Sequence, residues 1–182
     1  MIQVAITDDH PLLVEGFKHL IDSSGVAQII WSAADGRECL RKIETQPPEV
    51  LLLDINLPDV SGIELCKEIT LRWASMRVVA LTSFGEYSVV KRMLGNGAKG
   101  YLLKNAMPEE IVAGIEAVAE GDTFLCHEID MLLGRRIVQN ILLTQRETDI
   151  LLLIINGLTN EKKKKKLFLG VETVNSYRKN ML

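Results

Sequence analysis

The sequence lacks any apolar run near the ~18 residues needed to cross a bilayer. Its start, MIQVAITDDH, carries two acids where a secretory signal needs a basic region. A cytoplasmic chain with no membrane partner is therefore expected. Paired cysteines are also missing: Cys39, Cys66 and Cys126 are odd in number, widely spaced and without a CxxC. They read as reduced, buried spectators rather than bridges or zinc ligands. The three histidines, His10, His19 and His127, have no metal-ligand company along the chain and read as structural. No internal repeat is visible, and Lys162 to Lys166 is the one low-complexity tract.

What is present is the composition of an ordinary globular protein, with 47% hydrophobic and 25% charged residues. That balance excludes wholesale disorder, collagen-like sequence and a disulfide scaffold. At ~150 residues per domain, the 182 residues make one large domain or two small ones. The charge favours two. Residues 143–182 hold eight Lys/Arg against four acids, a balance of +4 within an overall net charge of −3. Residues 1–142 then carry −7, from 13 Lys/Arg and 20 acids. An acidic body with a basic tail suggests a second module that meets a polyanion.

The first 120 residues alternate short β-rich apolar runs with amphipathic stretches, the pattern of βαβ units around a parallel sheet. Strands are predicted at Ile2 to Thr7, Gln28 to Ala33, Val50 to Asp54, Val78 to Thr82 and Gly100 to Leu103. Helices are predicted over Leu12–Ile21, Gly36–Thr45, Gly62–Arg72, Tyr87–Gly95 and Pro108–Glu120, with Pro108 and Gly121 placed as start and stop signals. The fold class is thus α/β, a doubly wound, five-stranded parallel sheet. Residues 122–142 lose the alternation and read as a linker with a short helix near His127–Ile141. From Leu143 onward every apolar periodicity is helical, so a small all-α domain over 143–182 is expected.

In such a sheet ligands bind outside the carboxyl ends of the strands, and the notable polar residues sit there. The first strand ends in Asp8 and Asp9, the third in Asp54, the fourth in Thr82 and the fifth in Lys104. Converging carboxylates repel one another without a cation. An all-oxygen donor set points to Mg²⁺, with Lys104 balancing the remaining charge. Asp54, on the central strand, is the candidate nucleophile towards phosphorus. A metal, an ammonium and a hydroxyl around the phosphoryl oxygens would supply the neutralisation that phosphoryl transfer requires.

The residues Asp8-Asp9, LLLDINLPDVSG, ALTSF and GAKGYLLKNA, in this order at strand ends, resemble the receiver domain of a bacterial two-component response regulator, over residues 1–121. The resemblance implies that the sheet is flavodoxin-like, with a phosphoacceptor at Asp54 and Mg²⁺ held by Asp8, Asp9, Asp54 and the backbone carbonyl of Asn56. It also implies phosphoryl contacts from Thr82 and Lys104. It further implies a switch, in which Tyr101 turns inward as the Thr82 hydroxyl moves to the phosphoryl group.

The tail, LTQRETDILLLIINGLTN to LFLGVETVNSYRKNML, resembles the LuxR-type helix-turn-helix, and the whole chain a NarL/FixJ-type response regulator. On the last helix Val171, Val174 and Met181 share one face and would pack inward. The opposite stripe holds Glu172, Asn175, Ser176 and Lys179 and would lie in a major groove, with Thr173 and Arg178 reaching phosphates. In the family, small or apolar residues usually stand at the positions of Lys163 and Lys164. Five lysines at ~100° per residue sweep a whole helix circumference, which a very small core cannot bury. A frayed helix, an error in the recorded sequence or a phosphate-binding patch would each account for the run. The unbroken register of Leu167, Phe168 and Leu169 favours the second, so apolar residues are expected at 163 and 164. The chain stops at Leu182, inside the recognition helix, where the resemblance implies a further helix. An incomplete DNA-binding module with weak DNA affinity is expected.

The function these readings imply is a transcription regulator controlled by phosphoryl transfer from a sensor histidine kinase to Asp54, with double-stranded DNA as target and a homodimer when phosphorylated. It would not be a multiple-turnover metabolic enzyme, although a receiver can promote its own dephosphorylation. Two alternatives remain open: a Mg²⁺-dependent phosphatase with an aspartyl nucleophile, and a receiver acting only through protein contacts.

Overall fold

A computed structural model describes residues 1–83 and 85–141. Strands β1 (Ile2–Thr7), β2 (Ala27–Ala33), β3 (Val50–Asp54), β4 (Arg77–Thr82) and β5 (Gly100–Leu103) alternate with helices α1 (Pro11–Ser23), α2 (Gly36–Thr45), α3 (Gly62–Arg72), α4 (Tyr87–Gly95) and α5 (Pro108–Glu120). A two-residue strand, β6 (Phe124–Leu125), and helix α6 (His127–Ile141) follow. The sheet order is β2-β1-β3-β4-β5-β6 and every pairing is parallel.

Parallel strands covered on both faces by helices should be apolar throughout, and β3 shows this: Val50, Leu51, Leu52 and Leu53 are 0% exposed. The one charged residue of that strand, Asp54, falls at its carboxyl end. Helix starts are set locally. Asp35 caps α2 by accepting from the Glu38 N–H (2.7 Å), and Ser61 caps α3 by accepting from the Ile63 N–H (3.3 Å). Pro11 and Pro108 open α1 and α5, where a missing N–H costs nothing.

The expected five-stranded sheet gains a sixth strand at its edge. Gly100 and Tyr101 pair with Phe124 and Leu125, and the first turn of α6 follows into the core, with Cys126 at 1% and Ile129 at 0% exposure. Residues 122–133, read from the sequence as linker, thus belong to the compact unit Met1–Leu133. Two residues are too few to show alternation, which is why periodicity passed over β6. The expected all-α domain, the lysine run and the candidate DNA contacts Thr173, Asn175, Ser176, Arg178 and Lys179 lie outside the described residues.

Candidate functional site

The strand order reverses between β1 and β3, and at that switch point an open sheet leaves a crevice beyond its strand ends. Asp8 and Asp9 follow β1, Asp54 ends β3, Thr82 ends β4 and Lys104 follows β5. Three of these meet directly. The Lys104 Nζ stands 2.7 Å from Asp8 Oδ2 and 3.0 Å from Asp54 Oδ2. The Asp8 and Asp54 side chains are 0% and 1% exposed and that of Lys104 10%, so all three charges are largely out of water. Thr82 is buried beside them, and its carbonyl accepts the Lys104 N–H at 2.7 Å, which fixes where the lysine leaves the sheet. Asp9 lies at the rim, with 36% of its side chain exposed.

Burial pushes the Asp54 carboxyl above the usual carboxylate range, and the hydrogen bonds from Lys104 and the Asn56 N–H only partly oppose it. Burial pulls the Lys104 ammonium down, but Asp8 and Asp54 outweigh that and leave it raised. The acids thus outnumber the one ammonium that they surround. Three ionised carboxylates against one ammonium leave a formal −2, which a divalent cation matches. Ligand atoms of Asp8, Asp9, His10 and Asp54 lie within 4.8 Å of one another, so the donor set fits such an ion.

His10, which has no metal-ligand company along the chain, is brought beside these acids by the fold. Its Nδ1 is 2.9 Å from Asp8 Oδ1 and 2.8 Å from Asp9 Oδ1. The reason lies in the helix start: His10 occupies the N-cap of α1 and its side chain makes no cap bond. Its own N–H instead bonds Asp8 Oδ1 (2.9 Å), which turns the ring towards the acids.

The loop after Asp54 is closed by short-range bonds. Asp54 Oδ1 accepts the Asn56 N–H (3.2 Å), Asn56 bridges Ser61, and Gly62 donates to the Ile55 carbonyl (2.8 Å). A Cβ on Gly62 would run into the Asp54 carbonyl oxygen, so glycine is required for this close approach. Asp59, which sequence reasoning missed, ties the loop to α2 by accepting from the Gly36 and Arg37 N–H groups (2.8 and 3.0 Å). Those amides hold its carboxyl below the usual range, the Gly36 bond foremost. In sequence Asp59 precedes α3 rather than α2, so its position along the chain carries no signal of this contact.

Tyr101 is 0% exposed and its hydroxyl has no hydrogen-bond partner. Burial pushes the phenol pKa up, with Cys126 and Glu86 adding to the shift. The Tyr101 carbonyl accepts the Cys126 N–H (3.0 Å), placing the residue against the start of α6. Helix α6 in turn meets the connection after Thr82, where Ile129 fills the space a side chain on Gly85 would need.

Comparisons with known proteins bear on both parts of the chain. The family described as "Response regulator receiver domain" matches residues 4–116, and that described as "Bacterial regulatory proteins, luxR family" matches residues 142–182. The oxygen regulatory protein NreC of Staphylococcus aureus (strain JH9) is 30% identical in an alignment spanning 100% of this chain and 89% of that protein. Among solved structures, a LuxR-family two-component response regulator from Aurantimonas sp. SI85-9A1 is 27% identical, with a TM-score of 0.73 over 76% of this chain and 99% of that one. The signal receiver domain of the response regulator NarL from Mycobacterium tuberculosis is 32% identical, with a TM-score of 0.63 over 66% of this chain and 97% of that one.

Proposed function

Since the chain belongs to the NarL/FixJ-type response regulators, a receiver domain joined to a LuxR-type region, we propose that Asp54 is its phosphoacceptor and a sensor histidine kinase its donor. The protein is a two-component response regulator acting as a transcription factor, not a metabolic enzyme. The observation that carries the proposal is the buried meeting of Asp8, Asp54 and Lys104 at the sheet's switch point. A carboxylate oxygen of Asp54 attacks phosphorus. As the P–O bond forms, the bond from phosphorus to the donor's imidazole nitrogen breaks, and that nitrogen takes up a proton. Lys104 neutralises phosphoryl charge and Thr82 donates its hydroxyl to a phosphoryl oxygen. Asp8, Asp9, Asp54 and the Asn56 carbonyl would hold Mg²⁺, which supplies further neutralisation at those oxygens. The same groups would assist attack of water on phosphorus, which breaks the P–O bond to Asp54, restores its carboxylate and releases inorganic phosphate, giving slow self-dephosphorylation.

Tyr101 is already fully buried, so the inward turn expected of it is in place in this structure, and a switch linked to this step would act through its surroundings. Its hydroxyl is buried and unpartnered, its carbonyl accepts from Cys126 at the start of α6, and α6 meets the connection after Thr82. Displacing Thr82 towards a phosphoryl group would change what packs on both. The output would be a homodimer whose residues Thr173, Asn175, Ser176, Arg178 and Lys179 read double-stranded DNA. A cytoplasmic location is part of this proposal; no described helix is long and apolar enough to cross a membrane.

Incubation with acetyl phosphate and Mg²⁺ tests the reading. Stable, stoichiometric labelling that Asp54→Asn abolishes is expected, whereas continuous release of phosphate would favour a phosphatase. Selection of DNA sequences by the phosphorylated chain separates a DNA reader from a receiver acting only through protein contacts.

A further inference from the structure

We propose that His10 is a nitrogen ligand of the divalent cation at the acidic site and shifts its preference from Mg²⁺ towards first-row transition ions, modestly for Mn²⁺ and more for Co²⁺. The inference rests on the reading of Asp8, Asp9 and Asp54 as cation ligands. Cis ligands of an octahedral ion at about 2.0–2.1 Å stand √2 times that distance apart, about 2.8–3.0 Å. The His10 Nδ1 is 2.9 Å from Asp8 Oδ1 and 2.8 Å from Asp9 Oδ1, so both separations from this nitrogen match those of neighbouring ligands in such a shell.

Those distances also suit a hydrogen bond from Nδ1–H, but one proton cannot be aimed well at two oxygens of two mutually repelling carboxylates. A cation between them uses a lone pair from each of the three atoms. The imidazole is 66% exposed, so these contacts rather than packing hold the ring over the acids. Ligand chemistry then sets the preference. Carboxylate, carbonyl and water oxygens suit Mg²⁺, whereas adding an imidazole nitrogen favours metals further along the Irving–Williams order. With Asp8, Asp9, Asp54 and the Asn56 carbonyl, His10 makes five ligands, and the exposed rim formed by Asp9 and His10 leaves the sixth position open to a water or a phosphoryl oxygen.

The test is Mn²⁺ titration of the full chain, read by pulsed electron paramagnetic resonance for coupling to ¹⁴N and by calorimetry against Mg²⁺. Coupling is expected in the unmodified protein and in His19→Ala and His127→Ala, and is lost in His10→Ala. His10→Ala should weaken Mn²⁺ binding about tenfold and Mg²⁺ binding less than about threefold. Mn²⁺ binding that Asp9→Asn weakens but that shows no ¹⁴N coupling would overturn the role of His10 and leave the carboxylate site standing. An unchanged Mn²⁺-to-Mg²⁺ affinity ratio in His10→Ala would overturn it equally. Binding insensitive to Asp9→Asn would overturn both readings.

Discussion

Replacing Lys104 by methionine keeps the apolar stem and removes the charge that holds two buried carboxylates together. At an effective dielectric of about 20, each of its ion pairs, at 2.7 and 3.0 Å, is a gross attraction of roughly 6 kcal/mol. Much of that offsets the cost of taking three charges out of water. Asp8 Oδ2 and Asp54 Oδ2 share the nitrogen at 2.7 and 3.0 Å and so are at most about 5.7 Å apart. Without the ammonium they repel by at least ~3 kcal/mol on the same scale. Breaking a buried pair from one side costs about 3–5 kcal/mol, so Lys104→Met should lower stability by that amount at pH 7. For a unit of this size the melting temperature should fall by roughly 10–15 °C. Urea unfolding followed by circular dichroism in a chelating buffer measures the loss. The double variant Lys104→Met/Asp54→Asn removes one of the repelling charges and should regain about 2–3 kcal/mol of it. A loss below about 1 kcal/mol in the single variant, or strict additivity in the double, would refute the coupling argued from the geometry.

Three further outcomes follow from other contacts. In Gly85→Val the new side chain overlaps Ile129, and overpacking should cost about 1–3 kcal/mol; hydrogen exchange should rise at the start of α6 and stay unchanged in β1 and β3. Tyr101→Phe removes a buried hydroxyl with no partner, so stability should hold or rise by up to about 1 kcal/mol in thermal unfolding. Burial pushes the Cys39 thiol up to about 11 and the Cys66 thiol up to about 12, so neither forms thiolate until the pH approaches those values. A thiol reagent at pH 8 should therefore leave both unmodified in the native protein and label them in urea, as mass spectrometry of peptides can read.

The strands and helices of the receiver sheet were open to sequence reasoning because each apolar run is buried on both faces, as β3 illustrates. Apart from the added β6, differences are confined to ends: α1 begins at Pro11 and extends to Ser23, and β2 and β4 begin at Ala27 and Arg77, each one residue before the periodicity does. Polar residues at strand ends were equally visible, since Asp54 and Thr82 interrupt apolar runs. The contact of Lys104 with Asp8, almost a hundred residues away in sequence, becomes legible only once the strand order is assumed. His10 and Asp59 escaped for a different reason. Their contacts depend on side-chain direction beside a helix start, which periodicity does not encode.

Phosphorylation of the full chain with acetyl phosphate, followed by borohydride reduction and peptide mass spectrometry, tests the central claim most directly. Reduction of an aspartyl phosphate leaves homoserine in place of the modified aspartate. The account predicts homoserine at position 54 alone; homoserine at position 8 or 9, or equal labelling of Asp54→Asn, would contradict it.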